Sequence, residues 1–424
     1  MIEFGVLADF SFNHFFLPTD HDRNRVGRMR IVVILLPALI RKFLSLKFIE
    51  EALMLFRNCL LVTALVLMPT VFSTRFAFAQ QSVPIIRFDS VTNPLKLPPN
   101  VYLGEATGVA VNSKKHIFVL SRGNTSGPAF GAAAAQLLEF GPDGRFVREI
   151  GKNLYAWAFG HTVRVDKEDN IWATDKGSDM IVKFDPQGRV SMVFGRKQEA
   201  SDEAAPYKRG GPPPKHEDGR FRQPTDVTWD SSGNTYISDG YVNSRIAKVD
   251  KNGNWLKSWG ERGDKPGEFN TPHTIAADAQ GNIYVGDRGN GRIQVFDGDG
   301  KYLREIVINV PFDRNTARAA IGNKPAEDVK GTQAPGAPWS ICITPGPKQV
   351  LYSADAYPGR VYKLSLDGKV LGVLGEAGKQ LKQFGWIHEM ACPSENELYV
   401  AEVLNWRVQK LILYPDQQLS ALTR

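Results

Sequence analysis

From about residue 100 onward the chain alternates short apolar runs with short polar turns, and the alternation itself repeats. The clearest stretch, residues 269–306, holds apolar runs at 274–277, 283–286 and 292–296 and a fourth run beyond an Asp-Gly turn. Runs this short, bounded by Gly, Asn and Asp, are strand signals, and turns this tight join antiparallel neighbours. The stretch therefore predicts one sheet of four antiparallel strands.

Aligned on apolar run, turn, apolar run and acid, the same unit recurs six times. The copies are TGVAVNSKKHIFVLS from Thr107, HTVRVDKEDNIWATD from His161, TDVTWDSSGNTYISD from Thr225, HTIAADAQGNIYVGD from His273, WSICITPGPKQVLYSAD from Trp339 and HEMACPSENELYVAE from His388. In five copies the end residues are fourteen apart, and the fifth copy is two longer. Copies begin roughly 50 to 65 residues apart, the length of one propeller blade. One such sheet cannot bury both faces, whereas six stacked radially can, so the pattern predicts an all-β, six-bladed β-propeller. The last copy runs out after three strands near Leu413, and residues 83–88 are expected to supply the missing strand. Residues 200–220 and 309–338 break the pattern with Pro, Gly and charge and read as long loops between blades.

The first 79 residues do not follow this pattern. In residues 54–79 a start containing Arg57 leads through the apolar stretch 59–72 to Ala77-Phe78-Ala79, the order of a signal peptide. Export to the periplasm or beyond follows, with residues 80–424 as the mature propeller and no stable membrane insertion once the signal is cleaved. Residues 1–53, with an apolar run at 31–40 broken by Pro37 and too short to span a bilayer, read as an extended leader or a mis-started extension. The formal net charge of +7 shrinks to about +4 outside the first 79 residues, which hold nine Lys/Arg against six Asp/Glu. That balance, with no basic cluster among aromatics, excludes a nucleic-acid partner. Outside the leader only Cys342 and Cys392 remain. Two thiols in an exported chain could pair, but each lies in an apolar run, and buried free thiols are the expectation.

Five histidines lie beyond the leader, and three of them, His161, His273 and His388, take the first position of copies two, four and six. Alternate blades of a six-fold ring stand about 120° apart around the axis, so equivalent side chains converge there. Three imidazoles with an open position form the ligand set of a catalytic zinc site, although copper, iron or nickel accept the same donors. Residues just past the repeat acid return to the same face. Arg122 and Arg288 there could grip a substrate carboxylate, and Tyr241 could accept a proton.

With these residues in place, residues 104–413 resemble the NHL-repeat propellers and, more narrowly, the peptidyl-α-hydroxyglycine α-amidating lyases. The resemblance rests on FRQPTDVTWD and ISDGYVNSRI (221–230 and 237–246), TPHTIAAD (271–278), DRGNGRIQVF (287–296), GKNLYAWAFGH (151–161) and SRGN (121–124). It implies zinc on His161, His273 and His388, Tyr241 as active-site tyrosine, and Arg122 and Arg288 on the substrate. It also implies a structural calcium held by the backbone carbonyls of Val109 and Val163 with Glu389, where the family has Asp. The implied reaction splits a carbinolamide C–N bond, giving an amide and glyoxylate from a small or short-peptide substrate with a terminal carboxylate. Val242 replaces a family cysteine, and Ser121 replaces a histidine. Two other expectations compete: a non-catalytic NHL-repeat binding module, and a lactonase-like propeller hydrolase, whose metal site would be built from carboxylates.

Overall fold

The computed structural model describes residues 83–123, 135–197, 215–320 and 322–419, with side chains as far as 414. The expected leader and signal segment, and most of the 200–220 loop, lie outside the described residues. Among the described residues the strands form six four-stranded antiparallel blades; five run in chain order from the axis outward, and the sixth takes its outermost strand from the start of the ring. The chain is a six-bladed β-propeller. Its inner strands are Ala106–Val111, Gly160–Val165, Asp226–Trp229, Pro272–Ala277, Ser340–Ile343 and Ile387–Ser394. No helix among the described residues is long and apolar enough to cross a membrane.

The turns explain why the repeat is so regular. After the fourth inner strand, the Asp278 carboxylate accepts the Gln280 and Asn282 amides at 2.9 and 2.8 Å, and Gly281 takes φ +83°, a left-handed value that suits glycine. The second blade builds the same turn with Asp169 at φ +62°. Aspartate is among the few side chains that tolerate this region.

Burial follows the ring. Six apolar clusters lie in the six gaps between neighbouring blades. Leu120, Trp157, Val182 and Phe184 fill the first gap, and Val109, Leu138, Tyr399 and Ala401 join the sixth blade to the first. A fully buried Leu, Ile or Phe contributes about 1.5–3 kcal/mol, so a blade facing solvent on both sides would lose most of its stabilisation.

The ring closes as expected, with a shifted register. Ile85–Val91 pairs antiparallel with Arg407–Leu419 and completes the sixth blade, three residues longer at its end than the predicted 83–88. The long partner strand offers ladder groups as far as Lys410, opposite Val91, and this carries the pairing past Phe88. One expectation is overturned. Cys342 and Cys392 are joined in a disulfide, with Cα atoms 6.1 Å apart. Both stand on inner strands, of the fifth and sixth blades, and neighbouring inner strands approach closely enough for the bond. The scaffold therefore does not rely on packing alone.

Candidate metal centre

The first position of the repeat is special in the backbone as well as in the sequence. The inner strands of blades one, two, four and six each shift register across it, between Ala106 and Gly108, Gly160 and Thr162, Pro272 and Thr274, and Ile387 and Glu389. A bulge takes one residue out of the ladder and re-aims its side chain. In blades two, four and six that residue is His161, His273 or His388.

The three rings meet. Their centroids lie 4.6 to 5.0 Å apart, and one potential ligand atom from each falls within 4.8 Å of the others. The odd blades orient them. His161 Nδ1 lies 2.7 Å from the Thr225 carbonyl, His273 Nδ1 2.7 Å from the Trp339 carbonyl, and His388 Nδ1 2.8 Å from the Thr107 carbonyl. Those carbonyls belong to the first positions of copies three, five and one. A carbonyl can only accept, so each Nδ1 carries the proton and each Nε2 keeps its lone pair. Burial pushes all three imidazoles well below their ordinary pKa. Nearby cations add to it: chiefly Arg122 for His388 and Arg288 for His273, and Lys176 and Arg122 for His161, beside the neighbouring His388. His273 Nε2 is buried and has no hydrogen-bond partner. Three neutral nitrogen donors, each oriented through its second nitrogen, suit a borderline-soft divalent metal.

Tyr241 stands beside this cluster. Its hydroxyl is 3.3 Å from His161 Nε2, and its ring meets His161 and His273 edge-on. Burial opposes ionisation of the phenol, yet Arg288, Lys176 and Arg122 outweigh it and hold Tyr241 below its ordinary value. Arg288 is 5% exposed, its guanidinium lies 3.9 Å over the Trp339 ring, and its Nε and Nη1 have no partner. Arg122 lies at the same end but is committed in part: its Nε is 2.6 Å from Glu105 Oε2, and it covers Phe159 at 4.2 Å. Sequence reasoning missed Lys176, whose ammonium lies 3.9 Å over Tyr241. It follows Asp175 as Arg122 follows Ser121 and Arg288 follows Asp287, so the register held the signal. Trp339 and Trp386, 4.6 Å apart, form an aromatic wall that sequence reasoning also missed.

The residues implied for calcium are arranged differently. Glu389 Oε2 accepts the Val109 and Val163 amides at 3.1 and 3.0 Å, and Oε1 lies 2.9 Å from Arg164 Nε. Oε2 is thus taken by the protein's own amides, and Oε1, without a hydrogen bond, faces the Arg164 guanidinium; a cationic side chain at this carboxylate does not fit calcium. Burial pushes the Glu389 carboxyl up, and Asp226 adds to this against the pull of Arg164 and the two amides.

A family profile for the NHL repeat matches residues 269–296. The architecture is that of a β-propeller, and within it residues 269–296 are similar to the NHL repeat. Within that class the chain resembles the peptidyl-α-hydroxyglycine α-amidating lyases. Peptidyl-glycine alpha-amidating monooxygenase of Mus musculus is 32% identical over 242 residues, covering 51% of this chain and 23% of that protein. Peptidyl-alpha-hydroxyglycine alpha-amidating lyase 1 of Drosophila melanogaster is 27% identical over 281 residues, 63% of this chain and 47% of that protein. NHL repeat-containing protein 3 of Mus musculus is 32% identical over 238 residues, 52% of this chain and 59% of that protein. The chain spans less than a quarter of the length of the mouse monooxygenase it matches, 23%.

Proposed function

We propose that this chain is a zinc-dependent lyase that cleaves the C–N bond of a peptidyl-α-hydroxyglycine, or a related carbinolamide, to an amide and glyoxylate. The observation that carries the reading is the convergence of His161, His273 and His388, with every Nδ1 tied to a carbonyl and the ligand atoms within 4.8 Å. The likeness to named lyases supports the reaction class.

A zinc ion held by the three Nε2 atoms supplies Lewis acidity toward the substrate hydroxyl. Arg288, with two buried donors unpartnered, binds the terminal carboxylate, and Arg122 adds positive charge at the same end. Tyr241 accepts the hydroxyl proton. As the C–N bond breaks, the hydroxyl carbon becomes the aldehyde of glyoxylate and the amide nitrogen takes up a proton. Export fits the disulfide, since such bonds persist in oxidising compartments.

Purified protein is tested by elemental analysis and by glyoxylate release from α-hydroxyhippurate. About one zinc per chain and metal-dependent glyoxylate support the proposal. No metal at the histidines, with ligand binding indifferent to His273→Ala, would replace it with a binding module.

A further inference from the structure

One residue layer below the histidines, the axis is filled by a side chain that the sequence reading passed over. Arg164, three residues after His161, sends its guanidinium to the centre of the ring. Nε and Nη2 donate to Asp226 Oδ1 and Oδ2 at 2.9 and 2.6 Å. Nη1 donates to the Met390 carbonyl at 3.3 Å, and Nη2 to the Ile341 carbonyl at 3.3 Å and Thr274 Oγ1 at 3.4 Å. Glu389 Oε1 lies 2.9 Å from Nε as an ion pair without a hydrogen bond, since the Nε proton goes to Asp226.

The two carboxylates extend the network. Asp226 Oδ2 also accepts Thr274 Oγ1 at 3.0 Å and the Ile275 amide at 3.1 Å, while Glu389 Oε2 holds the Val109 and Val163 amides. Residues of all six inner strands are therefore tied to one guanidinium and its two carboxylates. Gly108 leaves the space this requires, since a Cβ there would stand 2.7 Å from Glu389 Oε2 and 2.8 Å from the Val163 nitrogen. The side chains of Asp226 and Glu389 are 0% and 1% exposed. Two carboxylates buried together are strongly disfavoured unless a cation and hydrogen bonds compensate them. The planar guanidinium supplies the cation to both and two hydrogen bonds to Asp226, while the Val109 and Val163 amides hold Glu389 Oε2.

We infer that Arg164 is the built-in axial cation of this propeller, standing in for the calcium ion implied by the resemblance, and that it positions the strands carrying the histidines. His161 lies three residues before Arg164, His388 directly precedes Glu389, and His273 directly precedes Thr274, so the network holds all three ligand strands from below. The inference holds whichever substrate the site takes. It also makes the histidine cluster the one metal centre on the axis.

The test uses the mature protein with zinc saturating, so that the histidine site does not contribute to a calcium response. The wild type is expected to bind no ⁴⁵Ca²⁺ and to keep its Tm when millimolar calcium is added. Arg164→Gln is expected to melt lower by roughly 5 to 10 °C. Its zinc affinity should fall about 10- to 100-fold, as when groups that orient metal ligands are lost. Because Asp226 and Glu389 then face a vacated space lined by carbonyls, Arg164→Gln should gain a calcium-dependent rise in Tm and recover zinc affinity. Arg164→Lys keeps the charge and should show no such response. Stoichiometric calcium on the wild type overturns the inference, as does a folded Arg164→Gln with unchanged Tm and no calcium response. If Arg164→Gln fails to fold, the wild-type and Arg164→Lys titrations decide: binding by either overturns it, and binding by neither upholds it.

Discussion

Two successive layers on the propeller axis are built to opposite ends. The upper layer leaves polar atoms open: His273 Nε2 and the Nε and Nη1 of Arg288 are buried without partners. In the layer beneath, the Arg164 guanidinium meets two carboxylates, two carbonyls and a hydroxyl. Buried polar groups are normally satisfied, and those that are not ask for a ligand. The contrast teaches that the open atoms above are not a looseness of the axis, because in the layer beneath the same strands tie every polar side-chain atom of Arg164 and Asp226 and leave only Glu389 Oε1, 2.9 Å from the guanidinium, without a hydrogen bond. One layer receives and the other holds.

The contrast can be broken first at the histidines. His273→Ala should lose zinc, measured by elemental analysis, and lower glyoxylate release on the order of a thousandfold or more, with little change in Tm. Tyr241→Phe should keep zinc and reduce kcat by about 10²- to 10⁴-fold. In the wild type, kcat/KM should rise with pH as Tyr241 loses its proton, through an apparent pKa below that of an ordinary tyrosine, because Arg288, Lys176 and Arg122 favour the charged form. That limb should be missing from the pH profile of Tyr241→Phe. Arg288→Gln should raise KM for a carboxylate substrate about 10- to 100-fold, and substrate amidated at that carboxylate should bind both forms alike. The smallest effect on the centre is expected at the disulfide. Cys342→Ser, which opens a link spanning 50 residues, should destabilise the fold by about 2–4 kcal/mol in denaturant unfolding and leave zinc content unchanged.

The fold was legible because it is periodic. Four of the six blades repeat the turn logic of Asp278, with Asn112, Asp166 and Asp230 in its place, and all six repeat the apolar runs, so weak signals add to one strong one. The three histidines were legible for the same reason, since one register position in every second copy converges by symmetry. What escaped was set by single departures from the repeat. Arg164 replaces the small or apolar residues Ala110, Ala276 and Ala391 of equivalent positions, and periodicity gives no weight to one odd residue. The tie of each Nδ1 to an odd-blade carbonyl depends on bulges that no side chain announces. The disulfide escaped because burial in an apolar strand was read as a reason for free thiols, while the meeting of two inner strands is a tertiary fact.

The outermost strand of the sixth blade, Ile85–Val91, comes from the beginning of the ring and pairs with Arg407–Leu419 at its end. A nascent chain therefore holds an incomplete circle throughout synthesis, with an unpaired edge waiting for the final segment. Contacts between such distant parts of the sequence form slowly. Because His388 arrives only with that last blade, ring closure and the meeting of the three imidazoles become one event.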